Sequence, residues 1–125
     1  MIRRSFLTLI ACAALVPPAT AGETQLTAAE IDALLADSTA TGVWSGNGYK
    51  QYFSSSGLTV YIPDGGAPSQ GRWRSNAATN EYESWWQMTG WTPYVIVRTD
   101  DGTLAYRNGS ALEPFTVKKG KHISW

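Results

Sequence analysis

A chain of 125 residues with ten basic and ten acidic side chains carries no formal net charge. That balance gives a polyanion nothing to hold, so charge excludes nucleic acid and anionic lipid as partners. One cysteine, Cys12, and one histidine, His122, exclude a disulfide framework and a zinc-type ligand cluster.

The chain opens MIRRSFLTLIACAALVPPATAGE. Arg3 and Arg4, the apolar run from Phe6 to Val16 and the small residues Ala19-Thr20-Ala21 form a secretory pattern, so residues 1–21 are expected to leave as a signal peptide before Gly22. The run is too short to span a bilayer, and no transmembrane segment follows it. Leu9-Ile10-Ala11-Cys12 also fits the lipoprotein pattern, although the AALVPP after Cys12 stays apolar where such proteins turn polar. Simple cleavage is the expectation, with a lipidated Cys12 or an uncleaved anchor as alternatives. The expected location is the periplasm or the exterior. Losing Arg3 and Arg4 turns the remaining domain slightly acidic, and losing Cys12 leaves its stability to the core alone.

Residues 22–40 read as an N-terminal helix segment. In QLTAAEIDALLADS, Thr27 and Glu30 have the spacing of a capping box, and Ile31, Leu34 and Leu35 form one apolar stripe. So short a helix needs a docking surface. Residues 41–118 then alternate with period two between glycine-rich turns. YKQYF, LTVYI, RWR, YESWWQ, YVIVR, TLAYR and PFTVK are strand candidates, and PDGGAPSQG, SNAATN, TDDG and NGS are turns. The expected fold is all-β: a small antiparallel meander or barrel of six or seven strands behind a short amphipathic helix. Residues 119–125, KGKHISW, read as a flexible tail.

Groups for chemistry are few. His122 lies near the carboxyl end, where a Ser-His-Asp arrangement has no firm base. Asp100 and Asp101 before Gly102 read as hairpin turn residues, and Asp64 before two glycines lacks the other ligands of a calcium loop. Arg72, Arg74, Glu81 and Glu83 share the outer face if their strands pair, either as a solvated charge ladder or as an acid-base or anion site. No catalytic residue, metal or cofactor is assigned.

The aromatic residues divide by parity. Trp73 lies between Arg72 and Arg74, and Trp86 shares a face with Tyr82 and Ser84, so both are expected in the core. Trp85 then falls on the side of Glu81 and Glu83. It is expected either to be covered by the helix bearing Leu34 and Leu35, the favoured reading, or to form a surface with its neighbours. Trp44, Trp85 and Trp91, with Arg72, Arg74 and Glu83 beside them, are the candidate ligand or partner surface.

The order LTAAEIDALLADSTATGVW, YKQYFSSSGLTVYI, GRWR, EYESWW and GWTPYVIVR resembles small exported proteobacterial proteins that carry a lipocalin-like domain of unknown function. The likeness covers nearly all of the chain after the signal segment. In that family a cysteine near the first tryptophan of the WW segment and another before the YxVxR strand form a disulfide; Glu83 and Pro93 stand there in this chain. The resemblance implies a compact barrel-like fold in the cell envelope and no reaction. The expected role is non-enzymatic binding of a small apolar or sugar-like ligand, or of a protein partner, through aromatic side chains. The alternatives are an inhibitor or accessory subunit of a periplasmic enzyme and, more weakly, a carboxylate-based enzyme.

Overall fold

The structure, a computed structural model, describes residues 22–124. The expected signal segment with Cys12, and Trp125, lie outside the described residues. The chain forms β1 (Glu23–Gln25), α1 (Ala28–Leu35), β2 (Ser38–Trp44), β3 (Asn47–Phe53), β4 (Leu58–Pro63), β5 (Ser69–Asn76), β6 (Glu81–Trp86), β7 (Gly90–Tyr94), β8 (Ile96–Thr99), β9 (Leu104–Asn108) and β10 (Ala111–Lys119).

All strand pairs are antiparallel, in the order β1-β8-β9-β10-β2-β3-β4-β5-β6-β7. This is two meanders, β2 to β7 and β8 to β10, joined where β10 lies beside β2. The sheet curls into a half-barrel. Only Val95 separates β7 from β8, and its carbonyl accepts a hydrogen bond from the Arg107 amide at 3.0 Å. The first part of this run pairs with β6 and the last part with β9, so the chain itself crosses between the two halves of the sheet.

Ten strands replace the six or seven expected, for three local reasons. The first strand is only three residues long. The second, STATGVW, begins inside the segment read as helical and has no apolar alternation, yet Ser38, Thr39 and Ala40 are all buried. The third reason is the switch of partner at Val95, which divides YVIVR between β7 and β8.

The helix forms as its spacing predicts. The Thr27 hydroxyl accepts from the Glu30 amide, and the Glu30 carboxylate accepts from the Thr27 amide at 2.8 Å. At the other end the Lys119 ammonium donates to the Ala33 and Ala36 carbonyls, which lack helical partners. Ile31 and Leu35 are fully buried with Phe53, Trp73, Ile96 and Phe115, all on the inner face of the curl. The helix therefore closes one end of the half-barrel, packed against β2, β5, β6 and β10. It does not land on Trp85, as the parity reading favoured. Trp85 lies on the opposite face from Trp73, and the inner face already supplies the apolar landing site. Gly120 and His122, in the segment read as a tail, donate backbone hydrogen bonds to the Asp37 carbonyl and the Thr39 hydroxyl. Among the described residues, no helix is long and apolar enough to cross a membrane.

Candidate functional site

Because neighbouring strands run in opposite directions, the turns 45–46, 64–68, 87–89 and 109–110 gather at the end away from the helix. Alternation then decides what faces the interior there. On β3 the inward residues are Tyr49 and Gln51, with Tyr61 opposite Gln51 on β4. On β6 they are Tyr82, Ser84 and Trp86, with Tyr94 opposite Tyr82 on β7. Trp44 at the end of β2 and Tyr106 on β9 complete the ring. Together they surround a cleft of about 340 Å³ that opens at this end.

The rings pack edge to face more often than flat. Trp44 meets Tyr94 at 5.6 Å and Tyr106 at 6.2 Å, both nearly perpendicular, while Tyr49 and Tyr61 stack at 5.1 Å. Offset and perpendicular pairs are the favourable arrangements for ring quadrupoles. The Trp86 indole sits against the β5 backbone because position 71 has no side chain: a Cβ there would lie 2.6 Å from the ring. Its Nε1 donates to the Ser84 hydroxyl at 3.1 Å, which fixes the ring at the cleft wall.

The cleft is chemically neutral. Gln51 Nε2 donates to the Thr59 hydroxyl at 2.9 Å and to the Tyr82 hydroxyl at 3.3 Å. Burial pushes the Tyr49, Tyr82 and Tyr106 phenols above their ordinary value, so all three keep their protons at neutral pH. No Asp, Glu, Lys, Arg or His is among the lining residues. Among the described residues, no group of three or more His, Cys, Asp or Glu is placed to hold a metal.

A scan against protein-family models, a search of curated proteins and a search of solved structures each returned no match.

Of the residues proposed from the sequence as a ligand or partner surface, only Trp44 lines the cleft. Trp85, Arg72 and Trp91 are cross-strand neighbours on the outer face of β5, β6 and β7. Arg74 pairs with Glu83 at 2.6 Å and lays its guanidinium over the Trp91 ring, 3.7 Å from the centroid. Glu83 also accepts from the Asn76 amide at 3.1 Å. These five residues form a ladder on the outside, separate from the aromatic cleft. Trp73 is core, as its parity predicts, with Nε1 bonded to the Ser54 carbonyl at 2.8 Å. Trp86, read with it as core, is half-buried because its end of β6 reaches the open mouth. Tyr82 was placed on the inner face but not in a site, and the tyrosines at positions 49, 61, 94 and 106 were not singled out. Their shared inward parity on successive strands was the available signal.

Proposed function

We propose that this chain is an exported, non-enzymatic binding protein of the cell envelope whose aromatic cleft takes a small, largely apolar ligand. The observation that carries the reading is the cleft at the open end of the half-barrel. Its volume of about 340 Å³ falls in the range of small-molecule sites, and its wall combines many rings with a few fixed polar groups. Closure of the opposite end by α1 supports a pocket rather than a channel. The resemblance to lipocalin-like exported proteins agrees with this reading.

The test is titration with N-phenyl-1-naphthylamine, an uncharged apolar dye that brightens when it leaves water. Saturable one-to-one binding is expected. Ser69 is exposed at the cleft wall, so Ser69→Trp should block the mouth without disturbing the core, weakening dye binding at least about tenfold, a loss near 1.4 kcal/mol. Absence of saturable binding, or binding indifferent to Ser69→Trp, overturns the proposal.

A second reading, an inhibitor or accessory subunit of an envelope enzyme, draws on a different surface. Trp91 is 39% exposed on β7, an edge strand, and Met88 in the preceding turn is 93% exposed. Exposed apolar side chains beside an unpaired edge suit a protein contact. A carboxylate-based enzyme would need Glu81 or Glu83 with an arginine in a cleft. Glu83 and Arg74 instead pair on the outer face.

A further inference from the structure

Among the described residues, two hydroxyls in the cleft wall meet no protein partner. The Tyr49 and Tyr106 oxygens are buried without a hydrogen bond, in residues only 3% and 5% exposed. Buried polar groups are nearly always paired, so each orphan requires an explanation. The neighbouring polar side chains bond elsewhere. The Gln51 amide nitrogen is engaged by Thr59 and Tyr82, and the Ser84 hydroxyl accepts from Trp86. Both phenols remain protonated and each holds a donor ready.

The rest of the wall constrains what would meet those donors. No lining residue is charged, so an ion entering the cleft would lose its hydration without a counter-charge in contact. Beyond the lining, Glu113 and Asp64 place negative rather than positive charge near Tyr49 and Tyr61. A sugar presents hydroxyls around its whole ring, but the free polar groups are few and the wall is mostly aromatic. A quaternary ammonium would suit the ring faces yet leave both phenols unpaired.

Resting on the cleft reading above, we infer that the ligand is a neutral, flat, mostly apolar ring compound with one carbonyl-type acceptor, which takes a hydrogen bond from the Tyr49 or the Tyr106 hydroxyl. The rings of Tyr61, Trp86 and Trp44 would then cover its apolar body.

The experiment is calorimetric titration with 2-acetylnaphthalene and with 2-isopropenylnaphthalene, which has the same shape but no acceptor. The ketone should bind at least about tenfold more tightly, within the worth of one hydrogen bond. In Tyr49→Phe/Tyr106→Phe, which keeps both rings, that advantage should fall to about threefold or less. Without ligand, this variant should melt no lower than the wild type, because it removes hydroxyls that have no partner. A lower melting temperature would reveal a structural partner, such as ordered water, and overturn the inference. Equal binding of the two naphthalenes overturns the acceptor inference and leaves the cleft reading intact. Tighter binding of methyl β-glucopyranoside or of phenyltrimethylammonium than of the ketone overturns the ligand class. Failure of every probe and of the apolar dye overturns both readings.

Discussion

Tryptophans close together in the chain do different work according to the face they occupy. Trp73 is 6% exposed, packs edge-on to Phe53 at 5.6 Å and satisfies its N–H on Ser54. Trp73→Ala should cost about 3–5 kcal/mol, the range for large aromatics removed from cores. Trp91→Ala should cost about 1 kcal/mol or less, because an exposed cation–π contact is worth little more. Denaturant melts of the two variants separate these outcomes, and comparable losses would refute the division into inner and outer rings. The same outer ladder carries a pH effect. The Asn76 amide, and then the Arg74 guanidinium, hold the Glu83 carboxyl below its ordinary value of 4.5. A depressed folded pKa means that the contribution is present above about pH 4.5 and is lost as pH falls through the folded value. Glu83→Gln should therefore flatten the acid limb of a stability–pH curve. Part of the slope should persist, because hydrogen bonds from Thr27 and from Thr99 lower Glu30 and Asp101 in the same direction. An unchanged acid limb in Glu83→Gln would show that the ladder contributes nothing.

At the scale of elements, α1 is eight residues long and too short to persist alone, so its ends and its apolar stripe must both be secured. Thr27→Ala removes one half of the capping box and should lower stability by about 0.5–2 kcal/mol in a thermal or denaturant melt. Leu35→Ala, at a fully buried position, should cost about 2–5 kcal/mol. If the two losses were equal and small, the helix would not be the plug of the half-barrel. This helix was legible in the sequence because cap and stripe are local signals. The faces of β5 and β6 were legible as well, since RWR alternates strictly and YESWWQ departs from alternation only at the Trp85–Trp86 pair. The second strand was not: its burial comes from β3, β10 and the helix crowding around small residues, a tertiary effect without local pattern. The break at Val95 was equally hidden, because a change of pairing partner leaves no mark on a continuous apolar run.

The whole molecule sets the limit on reading the site. A cluster of tryptophans adjacent in sequence drew attention to the outer ladder, whereas the cleft is assembled from rings on six different strands between positions 44 and 106. Inward parity marks each tyrosine separately; only the curl of the sheet brings them to one mouth. That assembly has a collective consequence at high pH. Burial raises Tyr49, Tyr82 and Tyr106 well above the ordinary phenol value of 10.0, and raises Tyr61 and Tyr94 as well. Protonated phenols are favoured in the folded state, so their contribution is fully present below about pH 10 and is lost as pH climbs toward the folded values. Spectrophotometric titration should therefore find fewer phenolates at about pH 11 in the native chain than in the guanidinium-unfolded chain. The missing ones should ionise together as the alkaline unfolding transition removes far-ultraviolet dichroism. Smooth, reversible titration of all six tyrosines near pH 10, with the fold retained, would mean that the rings are wetted and that the half-barrel does not hold them as a dry wall.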